Sequence, residues 1–133
     1  MADKPYLLDT SALLAWIEGE EGAERVANLL RNAEVLLPWV ALVETYYITE
    51  QERGETLAMQ RFASLTRLPV RILNDLGESG LLTAGRLKAR YRMSFADTIV
   101  AAYAILEDAI LVHKDPEYNI LIDRVQLEAL PYK

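Results

Sequence analysis

The stretch Tyr6-Leu7-Leu8-Asp9-Thr10-Ser11-Ala12-Leu13-Leu14 places one carboxylate between two short apolar runs. The first run predicts a buried strand that ends at Asp9, and the second predicts a short helix with Thr10 or Ser11 as its cap. Burying an ionised carboxylate without a partner is costly or drives its pKa upward. The charge of Asp9 is therefore either compensated by a partner elsewhere in the fold or required for the function of the protein.

Similar apolar runs alternate with longer helical segments along the rest of the chain. This alternation predicts an α/β fold, in which a parallel sheet is covered by helices on both faces. In such sheets, sites gather beyond the carboxyl ends of the strands, where the strand order reverses, so we expect the loops after residues 9 and 112 at that edge. The predicted strands are 6–9, 35–37, 70–73, 109–112 and 125–130, and the predicted helices are 11–17, 23–32, 39–53, 55–65, 74 or 75 to about 92, and 94 to about 107.

Composition limits the class of protein. The chain has 133 residues and is 52% hydrophobic, which predicts one compact domain over residues 1–133. It has no cysteine, so disulfides and thiolate metal sites are excluded. No apolar run approaches the length of about 18 residues that a membrane span needs, and no apolar segment follows a basic start. We therefore expect a soluble cytoplasmic protein without a membrane partner.

The formal net charge is −6 and the isoelectric point is near 4.8. An acidic protein is a poor general binder of nucleic acid, because that affinity comes largely from phosphate neutralisation by lysine and arginine. Nucleic-acid binding would therefore need a local basic patch, or divalent cations held by a carboxylate cluster.

Most of the 20 acidic residues lie among polar neighbours, which is typical of a solvated surface. Asp9, Glu44 and Asp97 instead lie in apolar segments, and none has a lysine or arginine within three positions. A basic partner could come from elsewhere in the fold, and Asp97 could simply cap its helix. A cation shared by the three acids explains them together. Asp115 follows the fourth predicted strand and is the natural fourth ligand, although an aspartate before Pro116 is also common in turns.

Carboxylate ligands in a chain without cysteine favour a hard ion, Mg²⁺ or Mn²⁺, over zinc. Such ions bind through a few carboxylates and substrate phosphates, which points to phosphodiester hydrolysis by a metal-activated water. His113, two residues before Asp115, is either structural or catalytic. Glu117 is either an outer ligand or, as we expect, a solvated loop acid.

A basic segment lies just upstream of Asp97. Arg86 and Arg90 are spaced i, i+4, as are Lys88 and Arg92. These cations either stabilise the C-terminal end of a solvated helix or position substrate phosphates beside the metal.

Four acidic motifs, taken in order, resemble those of the PIN-domain family. They are Asp9 in Leu-Asp-Thr-Ser-Ala-Leu, Glu44 in Ala-Leu-Val-Glu-Thr-Tyr-Tyr, Asp97 in Ala-Asp-Thr-Ile-Val-Ala-Ala, and Asp115 in Leu-Val-His-Lys-Asp-Pro-Glu-Tyr. The resemblance covers nearly the whole chain, and the single-domain form looks most like a VapC-type toxin of a prokaryotic toxin–antitoxin pair.

The resemblance implies a Mg²⁺- or Mn²⁺-dependent endoribonuclease in which Asp9, Glu44, Asp97 and Asp115 bind the metal. It implies a three-layer α/β/α fold with about five parallel strands. It also implies a homodimer with an RNA substrate, inhibited by a cognate antitoxin protein that wraps the early helices. Two residues depart from the family pattern: His113 replaces the usual threonine or serine, and Tyr118 stands where phenylalanine is common.

Two other interpretations keep part of this pattern. One is a catalytically weak PIN-like module that binds RNA or a protein partner. The other makes Asp9 a covalent nucleophile, as in haloacid-dehalogenase-like phosphatases. Those enzymes normally carry a second aspartate two residues later, where this chain has Ser11, and a longer chain with a cap.

Overall fold

A computed structural model describes residues 3–132, which form a five-stranded parallel sheet flanked by helices. The limits predicted for the domain, residues 1 and 133, lie outside this range. The strands are β1 (Tyr6–Leu8), β2 (Val35–Pro38), β3 (Arg71–Leu73), β4 (Ile110–His113) and β5 (Leu127–Ala129). The helices are α1 (Thr10–Ile17), α2 (Ala23–Asn32), α3 (Trp39–Arg53), α4 (Glu55–Leu65), α5 (Gly77–Arg90) and α6 (Phe95–Leu106), followed by a 3-10 helix at Pro116–Leu121.

The strand order is β3-β2-β1-β4-β5, and every neighbouring pair is parallel. The chain builds outward from β1 to β3, and then α5 and α6 return it to β4 on the other side of β1. The strand order therefore reverses between β1 and β4. A crevice opens at such a point beyond the carboxyl ends of the two strands, where the chain leaves in different directions.

The sheet separates two apolar cores because successive residues of a strand face opposite sides. Leu7 and Leu111 pack with α5 and α6 on one face. Leu8 and Val112 pack with α1 and α2 on the other. The result is the predicted three-layer α/β/α fold, which the structure confirms. None of the helices within residues 3–132 is long and apolar enough to cross a membrane.

Three predictions about local structure need correction. Asp9, rather than Thr10 or Ser11, is the cap of α1, because its side chain accepts a hydrogen bond from the backbone N–H of Ser11. The helix predicted from Asn74 or Asp75 begins only at Gly77, where a φ of 66° turns the chain. Beyond β4, a loop is predicted over residues 113–118, but residues 116–118 belong to the 3-10 helix Pro116–Leu121.

Candidate metal centre

Asp9 lies at the point where the chain leaves β1, and it is 3% exposed. Its backbone N–H donates to the carbonyl of Val112 at 3.0 Å, which joins it to the end of β4. Its Oδ2 accepts hydrogen bonds from the backbone N–H of Ser11 at 3.0 Å and from the Ser11 hydroxyl at 2.5 Å. The carboxylate is therefore fixed in orientation, and its helix cap accounts for part of its burial.

Asp97 is the third residue of α6 and is 9% exposed. Ser94 caps the helix, since its hydroxyl accepts from the backbone N–H of Asp97 at 3.1 Å. In a complete capping box the acid would accept in return from the backbone N–H of Ser94. Here Glu117 accepts that hydrogen bond instead, at 2.6 Å. The carboxylate of Asp97 is directed instead at the hydroxyl of Tyr118, and the interpretation of Asp97 as a simple helix cap is wrong.

Tyr118 joins the two buried aspartates. Its hydroxyl lies 2.6 Å from Asp9 Oδ1 and 3.0 Å from Asp97 Oδ1, in donor contact with both. The ring is fully buried, and burial followed by the charges of Asp9 and Asp97 raises the pKa of the phenol far above its ordinary value. The hydroxyl is therefore a neutral donor with one proton for two carboxylates.

Asp115 follows β4 and caps the 3-10 helix, where its Oδ1 accepts from the backbone N–H of Glu117 at 2.9 Å. Asp97, Asp115 and Glu117 each offer one carboxylate oxygen, and these oxygens lie within 4.8 Å of one another. The sequence pattern predicts that Glu117 is a solvated loop acid, but the structure places it in this group. Its position two residues after Asp115 was the available signal.

Glu44 approaches the site from α3, next to Asp9 rather than next to Asp115. Its Oε1 accepts a 2.6 Å hydrogen bond from the hydroxyl of Thr10. Burial is the main cause that raises its pKa above the ordinary glutamate value, and the charge of Asp9 adds to it, while the Thr10 hydrogen bond acts in the opposite direction. Glu44 is thus electrostatically coupled to Asp9, but it lies outside the group that Asp97, Asp115 and Glu117 form.

In the part of the chain that the structure describes, these acids have no cationic partner. Within residues 3–132, no lysine or arginine forms an ion pair with Asp9, Glu44, Asp97, Asp115 or Glu117. The pKa of Asp97 is accordingly raised to about 7, first by burial and then by the charge of Asp9. Asp97, Asp115 and Glu117 present oxygen atoms at mutual distances that one ion can span, which fits a hard divalent cation, while Asp9 and Glu44 lie outside that group.

His113 is the last residue of β4 and is fully buried. Its Nδ1 accepts a 3.1 Å hydrogen bond from the backbone N–H of Asp115, and its ring centroid lies 5.1 Å from that of Tyr118. Burial lowers the pKa of the imidazole, which keeps it neutral and able to accept at Nδ1. Of the structural and catalytic roles that the sequence allows for His113, this geometry favours the structural one, since His113 holds the turn that carries Asp115.

The basic segment is only partly available to a ligand. Arg86, Arg90 and Arg92 are exposed, and no ion pair forms on them within residues 3–132. Lys88 instead donates from Nζ to the carbonyl of Met93 at 2.5 Å. Lys114 Nζ donates to the carbonyl of Glu21 at 3.0 Å, with only 8% of its side chain exposed.

Comparisons with known proteins agree with this architecture. The family model described as "PIN domain" matches residues 6–123. A comparison with curated protein sequences gives no match. A chain in the crystal structure of VapBC2 from Rickettsia felis, bound to a DNA fragment from its promoter, is 19% identical, with a TM-score of 0.76 over 96% of this chain and 99% of that one.

Two further solved structures have the same fold. A chain of VapBC-1 from nontypeable Haemophilus influenzae is 21% identical, with a TM-score of 0.74 over 94% of this chain and 97% of that one. A chain of VapBC-5 from Mycobacterium tuberculosis, a member of the VapBC family of toxin-antitoxin systems, is 15% identical, with a TM-score of 0.61 over 96% of this chain and 98% of that one.

Proposed function

The chain belongs to the PIN-domain family, and on that premise we propose that it is a metal-dependent endoribonuclease, the toxin of a type II toxin–antitoxin pair. The observation that supports this most is the group of buried and partly buried carboxylates where the strand order reverses, with which no lysine or arginine of residues 3–132 forms an ion pair. Such a group is costly in a folded protein unless protons or a cation reduce its charge. A bound divalent cation meets that need and provides the chemistry of a nuclease.

The proposed metal ligands are Asp9, Glu44, Asp97 and Asp115, with Glu117 beside them. The ion would be Mg²⁺ or Mn²⁺, since every donor is a carboxylate oxygen. When bound, such an ion lowers the pKa of a coordinated water and stabilises the negative charge of the leaving oxygen.

The remaining polar residues of the site hold these acids in place. Ser11 fixes the carboxylate of Asp9, and Thr10 fixes that of Glu44. His113 fixes the backbone at Asp115. The acids thus come to the ion already oriented, and little side-chain entropy remains to be lost on binding.

Arg86, Arg90 and Arg92 would contact phosphates of the RNA strand. Their exposure and their lack of ion pairs within residues 3–132 support this role, in a chain whose net charge of −6 otherwise opposes RNA binding. Such contacts position the substrate but do not read its sequence.

The proposed partners are an antitoxin protein and a second copy of the chain, in the cytoplasm, with residues 1–133 forming one domain. Support for the antitoxin comes from the VapBC complexes, one of which is described as belonging to the toxin-antitoxin systems. The identities to these chains are 15–21%, so the likeness itself concerns the fold.

The test combines hydrolysis in vitro with toxicity in cells. We expect purified protein with Mn²⁺ to cleave structured RNA, EDTA to abolish the cleavage, and expression of the chain to arrest growth. Asp9→Asn should remove both effects, whereas Asp123→Asn, at an exposed aspartate, should retain them. If the protein cleaves no RNA and Asp9→Asn leaves toxicity unchanged, the catalytically weak PIN-like module is the better interpretation.

A further inference from the structure

We propose that Tyr118 is a positioning residue whose hydroxyl holds the carboxylates of Asp9 and Asp97 in a fixed mutual orientation for the binding of a divalent cation. This inference rests on the metal site of the proposed function. It gives a role to Tyr118, which ends the fourth motif but is not one of its acids, and it concerns the binding of the ion rather than the cleavage of RNA.

Three separate parts of the chain meet at the Tyr118 hydroxyl. Asp9 comes from the end of β1, Asp97 from the first turn of α6, and Tyr118 from the 3-10 helix after β4. The two contacts, 2.6 Å to Asp9 and 3.0 Å to Asp97, are both within hydrogen-bond range. No hydrogen bond links the two aspartates directly within residues 3–132. The hydroxyl is thus the polar connection between them.

The position of this hydroxyl is set by the core. Tyr118 is fully buried in the apolar cluster that Leu7 and Leu111 share with α6, and its ring lies against that of His113. A ring packed in this way has little freedom to follow a moving carboxylate. The aspartates are therefore oriented towards a fixed oxygen.

The charges of the pair explain why a fixed donor matters. Two carboxylates in a poorly solvated site repel each other and, when free to do so, turn apart. A neutral hydroxyl between them reduces this repulsion without adding a positive charge that would compete with the ion. Outer partners that orient metal ligands in this way typically contribute about 10- to 100-fold to metal affinity.

Tyr118→Phe tests the proposal because it removes one oxygen and keeps the ring. The matched control is Tyr103→Phe, since Tyr103 is also fully buried, lies on α6 as Asp97 does, and its hydroxyl forms no hydrogen bond with these acids within residues 3–132. The Kd for Mn²⁺ is measured by isothermal titration calorimetry on metal-free protein, together with the Mn²⁺-induced rise in Tm. We expect Tyr118→Phe to weaken Mn²⁺ binding about 10- to 100-fold and Tyr103→Phe to bind like wild type.

Each other result has a defined meaning. Equal Mn²⁺ affinity in Tyr118→Phe and wild type would overturn the role of Tyr118 and leave the metal site in place. Tighter binding would also overturn it, because the hydroxyl would then be competing with the ion for the carboxylates. Absence of Mn²⁺ binding in wild type would overturn the metal site, and the role of Tyr118 with it.

A second measurement covers the case in which Tyr118→Phe does not fold. Mn²⁺ binding should change the ultraviolet absorption of Tyr118 in wild type, since both acceptors of its hydroxyl become ligands. The difference spectrum should persist in Tyr103→Phe. If Mn²⁺ binds without any tyrosine difference spectrum, the hydroxyl does not lie between ligands of the ion and the proposal fails.

Discussion

The side chain of Glu117 accepts a 2.6 Å hydrogen bond from the backbone N–H of Ser94, the residue that caps α6. This contact takes the place of the one that Asp97 would make in a complete capping box. It leaves the carboxylate of Asp97 directed at Tyr118. It also places a carboxylate oxygen of Glu117 within 4.8 Å of carboxylate oxygens of Asp97 and Asp115. One hydrogen bond therefore both completes the helix terminus and adds an acid to the candidate centre.

Glu117→Gln should separate these two roles. The amide oxygen can still accept from the backbone N–H of Ser94, so we expect the Tm without metal to stay within a few degrees of wild type. The lost charge should weaken Mn²⁺ binding by about 10-fold or more, as measured by calorimetry. Glu24→Gln, at an exposed glutamate of α2, is the control and should bind Mn²⁺ like wild type. If Glu117 only caps the helix, Glu117→Gln and Glu24→Gln should bind Mn²⁺ with the same affinity.

Ser11 provides a second test of how the site is held. Its hydroxyl donates to Asp9 at 2.5 Å and accepts from the backbone N–H of Lys114 at 2.8 Å, so it joins the chain segments that leave β1 and β4. Ser11→Ala leaves both partners short of a hydrogen bond, which should lower the free energy of unfolding by about 1–3 kcal/mol. It should also weaken Mn²⁺ binding, because Asp9 loses one of its fixed donors.

Urea unfolding and calorimetry of Ser11→Ala give the two quantities. Ser64→Ala, at an exposed serine of α4, is the matched control and should leave both unchanged or raise stability slightly, since alanine favours helix. Loss of stability with unchanged Mn²⁺ affinity would show that Ser11 joins the two strand ends without orienting Asp9.

Replacing an acid by its amide should reduce activity without loss of the fold. Asp9→Asn, Glu44→Gln and Asp97→Asn should each reduce RNA hydrolysis by more than about 100-fold, since removing a ligand costs more than removing an outer partner. In EDTA at pH 8, Asp97→Asn should unfold at the same or a higher temperature than wild type. The reason is that burial and the charge of Asp9 raise the pKa of Asp97 to about 7, so its ionised form is unfavourable in the folded state.

The measurements for these amide variants are thermal unfolding with and without Mn²⁺ and a gel-based cleavage assay. Wild-type activity in all three, or a collapse of the fold in all three, would contradict the assignment of these acids to a metal site.

The fold was predictable because its signals are local. Apolar runs separated by helical segments indicated the parallel sheet, and the helix predicted over residues 39–53 has the limits of α3, which the structure confirms. The four acidic motifs were recognisable for a similar reason, since a carboxylate in an apolar segment is conspicuous whatever the tertiary structure. The structure brings Asp97 and Asp115 together, while their role as ligands stays a prediction.

The features that the sequence did not reveal depend on contacts between distant parts of the chain. Glu117 appeared to be a solvated loop acid because its partner, Ser94, is 23 residues away. Tyr118 appeared to be a mild replacement for phenylalanine because its contact with Asp9 spans 109 residues. Both residues lie on a 3-10 helix within a segment predicted as a loop. A local sequence pattern does not reveal which side-chain oxygens of this segment lie at the acidic site, because the site is formed by residues from distant parts of the chain.

The exposed arginines of α5 provide the last prediction, which concerns RNA binding and not the metal. Arg86 and Arg90 lie one helical turn apart at the end of α5 and form no ion pair within residues 3–132. If they contact phosphates, the double variant Arg86→Glu/Arg90→Glu should weaken RNA binding and reduce the slope of log K against log salt by about one for each lost contact. Mn²⁺ affinity should not change, because neither arginine forms an ion pair with the acids of the site within residues 3–132.

The matched control for the arginines is a charge reversal elsewhere on the surface. Arg67→Glu, at an exposed arginine after α4, changes the net charge in the same direction but lies on another part of the chain. Binding of a fluorescent RNA, measured at several salt concentrations with Ca²⁺ in place of Mn²⁺ to prevent cleavage, compares the variants. The double variant should lose more than twice the binding free energy that Arg67→Glu loses. If the double variant loses only twice the binding free energy that Arg67→Glu loses, the loss follows net charge and not position. The two arginines would then only keep the protein soluble and stabilise the helix dipole, because a general electrostatic effect does not depend on which arginine is reversed.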